Sequence, residues 1–312
     1  MRIRQNFLPR NMIDWLCFLL INVFVPIVFV YELAVILPEF HEPGSPMYCI
    51  TIVLAIILIF EIMGNYTACL VVDTSVDFEN LVVPRLSKAE LEELGWHHCE
   101  KCDKLAPPRS WHCEACEVCI LKRDHHCIFT GCCIGQENHR YFVVFIIYLL
   151  IGSLYAFVYN SLYLFVLHHG IFFHLVTVVK IVCPMLMLLS DKLFDNMSLM
   201  FYNLNILAVA YSFIMSVYHA PSVFCGGVCY ERAFGFPYNK GSWKKNVEAV
   251  LGKNMYLVWL SPIIKSPLPD DGINWVKMAD KTAQKKAVIT ADNTAAEKVI
   301  KTADKTADKK TK

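Results

Sequence analysis

The chain has 312 residues, 56 % of them hydrophobic, and its 29 basic and 28 acidic side chains leave a net charge of +1. That composition excludes an ordinary soluble protein, and the near-neutral balance hides apolar blocks alternating with charged ones, so net charge identifies no partner. Fourteen cysteines would suggest disulfides in a small secreted protein, but most of these crowd into one polar segment with histidines at short intervals, which fits zinc in a reducing compartment.

Residues 1–13 form a short N-terminus in which Arg2, Arg4 and Arg10 favour the cytoplasmic side. The apolar stretch that follows is long enough to stay in the bilayer, so no cleavable signal peptide is expected. Residues 14–37, DWLCFLLINVFVPIVFVYELAVIL, have bilayer-spanning length, with Trp15 and Tyr31 suited to an interface. Three prolines and a glycine in PEFHEPGSP then forbid a continuing helix, and a second span is predicted over residues 48–72. Glu61 lies inside that second span. A carboxylate there is costly, so it needs a functional or packing partner.

Residues 73–140 are polar. Ser87 followed by Glu90 resembles a capping box and predicts a short surface helix over 81–94. A third span is predicted from 141 to about 167 and a fourth over 197–217. The intervening run 171–189 is also apolar, but Lys180 and Pro184 weaken it as a crossing, so a luminal, interfacial or re-entrant role is expected. An even number of crossings returns the lysine-rich residues 231–265 to the cytoplasmic side. Residues 218–278 read as a folded cytoplasmic extension, and 279–312, where Thr-Ala-Asp recurs among lysines, as a disordered tail.

The fold class is therefore an α-helical integral membrane protein. Spans one and two lie within 14–72, and spans three and four, with their luminal loop, within 141–217. A cytoplasmic zinc-binding cysteine-rich domain, at about 97–140, sits between the second and third transmembrane helices.

The cysteine-rich segment has the spacing Cys99-x2-Cys102-x9-His112-Cys113-x2-Cys116-x2-Cys119-x6-His126-Cys127-x5-Cys133, with Asp124 and His125 just ahead of His126. Pairs two residues apart place two thiolates on one tetrahedral zinc without strain, and the interleaving suggests two sites. Metal ligation can supply a fold where no apolar core exists.

The run CEKCDKLAPPRSWHCEACEVCILKRDHHCIFTGCCIGQENHRYF resembles the cysteine-rich domain of the DHHC protein acyltransferases. The likeness extends through the flanking spans to about Pro267. It implies two structural zinc ions, one on Cys99, Cys102, His112 and Cys119, the other on Cys113, Cys116, His126 and Cys133. It further implies that Cys127 is a nucleophile, with His125 as its base and Asp124 fixing the tautomer of His125. The chemistry agrees, since a free thiol with a pKa of roughly 8.5 is only slightly ionised near neutrality and needs an adjacent base. In an extended segment residues 125 and 127 share one face while 126 points away, so adjacent histidines can hold different jobs.

The expected activity is transfer of a long-chain acyl group, such as palmitoyl, from acyl-CoA to cysteines of membrane-proximal proteins. The expected setting is an endomembrane, endoplasmic reticulum or Golgi, rather than the plasma membrane, and no nucleic-acid partner is expected. Arg109 matches a family position that can meet CoA phosphates, with a structural salt bridge as the other reading. Ile128-Phe129 stands where the family commonly has Pro-Trp, Asp73-Thr74-Ser75 where it has Asp-Pro-Gly, and Val228-Cys229-Tyr230-Glu231 where it has Thr-Thr-x-Glu. These departures keep open a second class of function, a catalytically silent zinc-containing membrane scaffold. A segment over Asn246, Val250 and Gly252 resembles the family's packing motif.

Overall fold

A computed structural model describes residues 2–189 and 192–275; the expected lysine-rich tail over 279–312 lies outside the described residues. Among these, four helices are long and apolar enough to cross a membrane. They are α1 (Met12–Phe40), α2 (Pro46–Val71), α4 (His139–Leu167) and α6 (Leu193–Cys225). Between α2 and α4 lie the short helix α3 (Lys88–Glu93) and six three-residue strands: β1 (His97–Cys99), β2 (Lys104–Ala106), β3 (Trp111–Cys113), β4 (Val118–Ile120), β5 (His125–Cys127) and β6 (Cys132–Ile134). Helix α5 (Leu175–Val182) precedes α6, and α7 (Trp243–Leu251) follows it.

Each boundary has a local cause. Asn11 accepts from the Asp14 N–H at 2.9 Å to cap α1, and Ser45 caps α2 ahead of Pro46 in its first turn. Single π turns at Leu20–Phe24 and Glu32–Ile36 lie just ahead of Pro26 and Pro38, whose rings cannot donate to the helical ladder. Ser87 and Glu90 form the expected capping box on α3. Glu61, fully buried, accepts from Asn65 one turn on at 3.0 Å, so the intramembrane carboxyl group has its partner on its own helix.

The apolar run between α4 and α6 forms α5 and a 3-10 turn, Pro184–Leu189, rather than a fifth long helix. Helix α6 has 33 residues, about 50 Å at 1.5 Å per residue, whereas a hydrocarbon core is about 30 Å thick. It therefore overshoots, running through Pro221 to Cys225 and past the boundary expected at residue 217. That overrun matters for the site described below.

The N-terminus and the C-terminal extension both pack on the cysteine-rich domain. Arg2 pairs with Asp73 at 3.1 Å, and Arg10 pairs with Glu117. Residues 73–75 are stitched to the hairpin turns, because the Thr74 carbonyl accepts from the Leu121 N–H at 2.9 Å and its hydroxyl from the Glu137 N–H at 3.2 Å. On the other side, Val223, Val250, Leu251 and Val258 bury against Val144 of α4. With residues 2–10 and the described part of the C-terminal extension gathered at one pole, an even number of crossings separates them.

Asn246 ties this extension together: it donates to the Phe224 carbonyl at 2.7 Å and accepts from the Lys240 N–H at 2.8 Å, with 1 % exposure. Each buried group orphaned by Asn246→Ala costs about 1–3 kcal/mol. Thermal unfolding of the detergent-solubilised protein is therefore expected to move clearly downward in that variant. Trp243→Ala, at an exposed position, should leave the midpoint in place, and equal effects of the two changes would contradict this account.

Candidate active site and metal centres

The six strands pair as three antiparallel hairpins, β1 with β2, β3 with β4 and β5 with β6. They are versions of one unit. Each first strand ends in a cysteine, Cys99, Cys113 or Cys127, and four residues later the turn needs a left-handed backbone, at Asp103, Glu117 and Gly131. In the first two turns the third residue after the cysteine is Cys102 or Cys116; in the third it is Thr130. Gly131 also allows close approach, since a Cβ there would meet Pro9 Cγ at 2.8 Å.

Cross-strand register then distributes the ligands. His112 lies opposite Cys119 in the second hairpin, and this pair turns back onto Cys99 and Cys102 of the first. His126 lies opposite Cys133 in the third, and this pair turns back onto Cys113 and Cys116 of the second. Within each set of four the donor atoms lie within 4.8 Å of one another. Cys102 Sγ is 3.4 Å from His112 Nδ1, and His126 Nδ1 is 3.5, 3.4 and 3.8 Å from Cys113, Cys116 and Cys133. Three thiols and one imidazole at these separations fit tetrahedral zinc, which would staple a domain with little apolar core.

Among the described residues no fourth hairpin follows to take up the leading cysteine of the third. Cys127 therefore remains outside both sets, buried at 4 % exposure, in the place where a further pair of ligands would begin. Alternation along β5 sends His126 to the metal side and His125 to the other. His125 Nδ1 lies 2.8 Å from Asp124 Oδ2, leaving its other ring nitrogen toward Cys127.

Electrostatics follow this geometry. Burial alone would raise the Asp124 carboxyl, but hydrogen bonds from His125 and His219 outweigh it and hold the group well below the usual carboxylate range. Burial opposes charge on His125, while Asp124 and Cys127 together push its pKa up to about 9. Burial likewise opposes ionisation of Cys127, and the His125 imidazolium overcomes it, so the thiol ends below its ordinary value. Both shifts favour a thiolate–imidazolium pair held by a buried carboxylate.

Three partners in this site were not singled out as functional from the sequence. His219, on the overrun of α6, places Nδ1 3.3 Å from Asp124 Oδ2 and its ring 4.9 Å from that of His125. Cys229 donates its backbone N–H to Asp124 Oδ1 at 2.7 Å, and its Sγ sits 3.4 Å from Oδ2. Asp14, at the start of α1, lies 3.0 Å from Nε2 of His126. The sequence marks His219 and Asp14 only as polar residues bordering an apolar run and Cys229 only as a departure from the family's Thr-Thr-x-Glu, and their contacts lie more than ninety residues away.

Arg109 is placed differently from a residue facing a soluble CoA phosphate. At 5 % exposure it makes a two-point pair with Glu231, both at 2.7 Å, and donates to the Gly226 carbonyl at 3.1 Å. Its guanidinium lies against Tyr238 at 4.5 Å and Trp275 at 4.2 Å. The salt-bridge reading is the one these surroundings favour, fixing the turn that carries Cys229. Cys132, next to a ligand, is buried and donates to the Cys69 carbonyl at 3.4 Å.

A cavity of about 420 Å³ lies among the four long helices, lined mostly by apolar side chains of α1, α2, α4 and α6, with Glu32, Thr51, Ser153 and Asn205 among its polar members. Such a volume falls in the range of about 300–1,000 Å³ usual for ligand sites. Phe129, two residues beyond Cys127, and Tyr211, whose hydroxyl faces Cys127, also line it, with their rings 4.4 Å apart. The thiol thus stands beside an apolar chamber inside the membrane-spanning bundle.

Comparison with known proteins agrees with this architecture. Residues 92–231 match the DHHC palmitoyltransferase family model. Over these residues the chain is of the DHHC type. Among curated proteins it is similar to a probable palmitoyltransferase ZDHHC24 of Danio rerio, 36 % identical over 198 residues, covering 62 % of this chain and 66 % of that protein. The chain thus spans just under two thirds of that relative's length. The matched domain ends at Glu231, the partner of Arg109.

The Asp14 contact is an outer-shell carboxylate on a zinc-type histidine, and losing such a partner typically costs about 10–100-fold in metal affinity. Asp14→Ala is expected to speed transfer of one of two zinc equivalents to a chromogenic chelator, leaving the other at its original rate. Identical release curves for the variant and the parent would show that Asp14 does not act on the metal.

Proposed function

We propose that this chain is a protein S-acyltransferase that moves a long-chain acyl group from acyl-CoA to cysteines of membrane-proximal proteins through an acyl-enzyme on Cys127. The observation that carries this reading is the Asp124, His125 and Cys127 relay, left out of both metal-type clusters and set beside an apolar cavity.

In the first half-reaction the Cys127 thiolate attacks the thioester carbonyl of acyl-CoA. A new S–C bond forms, the CoA sulfur leaves, and the His125 imidazolium supplies its proton. In the second, a substrate thiol gives its proton to His125 as its sulfur attacks the Cys127 thioester, which regenerates the thiolate. Asp124 holds the tautomer throughout and balances the imidazolium. The cavity gives the acyl chain an apolar environment, worth about 0.8 kcal/mol per buried methylene, which explains why a thiol-transfer centre is joined to a helical bundle. The zinc ions, when bound, act as structural clamps on the three hairpins.

In this proposal the site works at the cytoplasmic face, where soluble CoA and substrate cysteines meet, in an endoplasmic reticulum or Golgi membrane. Val228 and Cys229 in place of two threonines do not remove the relay, because the bond from position 229 to Asp124 is made by the backbone N–H.

Incubation of the purified protein with a clickable palmitoyl-CoA is expected to give a hydroxylamine-sensitive label that Cys127→Ser abolishes. His125→Ala should slow labelling by on the order of 10²- to 10⁴-fold, the usual worth of a positioned base. A parent protein that takes no label, or Cys127→Ser labelled equally, would transfer the chain to the scaffold class.

A further inference from the structure

Four donor atoms converge beside the relay without belonging to either structural cluster: a carboxylate oxygen of Asp124, Nδ1 of His125, Nδ1 of His219 and Sγ of Cys229. All lie within 4.8 Å of one another. About Asp124 Oδ2 the separations are 2.8 Å to His125, 3.3 Å to His219 and 3.4 Å to Cys229, and Cys229 lies 3.6 Å from His219. In the two clusters that fit zinc, the corresponding donor pairs are 3.4 to 3.8 Å apart. The third group is as tight as the first two.

We propose that Asp124, His125, His219 and Cys229 form a third zinc site, exchangeable and inhibitory, built on the catalytic relay itself. The donor set of one thiolate, two imidazoles and one carboxylate suits zinc and is too soft for magnesium or calcium. The donors come from three separate pieces of chain: the lead into β5, the overrun of α6, and the turn after it. Asp124 and His219 are buried at 5 % and 3 % exposure, while Cys229 is only partly covered, which leaves a side from which a cation can reach the group. The Arg109–Glu231 pair holds the turn carrying Cys229 in place.

The chemistry of loading is simple exchange. Zinc enters as a dication, the Cys229 thiol proton and the proton between His125 and Asp124 leave to solvent, and nothing is oxidised or reduced. Inhibition, which rests on the acyltransferase reading, follows from which nitrogen is taken. Metal on Nδ1 of His125 takes the place of the carboxylate and leaves a neutral imidazole whose single proton stays on the nitrogen facing Cys127, so that nitrogen can no longer accept a proton from a thiol. The same loading turns Asp124 from an orienting group into a ligand. Cys229 stands where the resembling family commonly has threonine, so the thiolate is a property of this chain.

The test uses the full-length protein, zinc-loaded at its two structural clusters as judged by elemental analysis, and titrated with Co²⁺ alone. The expected result is one further equivalent with a thiolate-to-cobalt charge-transfer band, no zinc released, and loss of the band on added Zn²⁺. Cys229→Thr should abolish the band, and His219→Gln should weaken binding at least tenfold, which keeps the test decisive if either variant folds poorly. Micromolar Zn²⁺ should lower palmitoyl-CoA labelling of the parent at least tenfold, reversibly by chelator. Relative to its own metal-free rate, Cys229→Thr should lose that sensitivity. No third equivalent, a third equivalent without a thiolate band, or loaded protein that labels at full rate would overturn the proposal. Binding is read without turnover, so a parent protein that takes no acyl label would overturn the acyltransferase reading and with it the inhibition, while the cobalt band would still decide the site.

Discussion

An ionised carboxylate stripped of water must have donors around it, or it will take up a proton or destabilise the fold. Asp124 is that group here, and much of the architecture can be understood as supplying its partners. His125 comes from the next residue, His219 from the far end of a 33-residue helix, and the Cys229 N–H from the turn after that helix. A bundle in which α6 ended at the membrane surface would leave Asp124 with one donor. The length of α6, the left-handed Gly226 that ends it and the Arg109–Glu231 pair beyond it serve one requirement.

The second constraint is strand alternation. Over β5 the chain places His125 and Cys127 on one side and His126 on the other, so the structural and chemical duties of two adjacent imidazoles never compete. The hairpin repeat makes this economical. Each unit offers a leading pair and a cross-strand pair, and metal links the leading pair of one to the cross-strand pair of the next. At the end of such a series one leading cysteine has no partner. The third hairpin has Thr130 where the earlier two have a second cysteine, and its hydroxyl bonds the Cys127 carbonyl at 3.3 Å.

What could be read from the sequence and what could not divides along the range of the interactions. The spans were visible because hydrophobicity is summed over twenty or more residues, and the capping box at Ser87 because it closes over three. The grouping into two sets of four, which the family resemblance implies, has its physical basis in a hairpin repeat whose register is local. His219, Asp14 and the partner of Arg109 could not be seen, because each depends on a contact with a residue more than ninety positions away in the chain. The end of α6 was misplaced for the same reason: local hydropathy stops at the membrane, whereas the helix continues because Asp124 and the C-terminal extension bind its last turns. Glu61 lies between these cases, since its partner Asn65 is on its own helix and yet neither sequence position names the other.

The joint between the soluble domain and the bundle is also chemical rather than merely mechanical. Asn22 of α1 donates to the Tyr66 hydroxyl of α2 at 3.0 Å, and that hydroxyl donates to the Phe129 carbonyl at 3.0 Å, so two membrane helices fix the loop just past the nucleophile. Phe129 then packs on Tyr211 of α6 beside the cavity. Asp14, at the root of α1, meets the metal-side face of the same hairpin. The hairpin bearing Cys127 is therefore gripped on its metal face by the start of α1 and on its cavity face by α1, α2 and α6. A displacement of α1 that reshaped the cavity would act on both grips at once, so cavity shape and nucleophile position are a single variable of this fold.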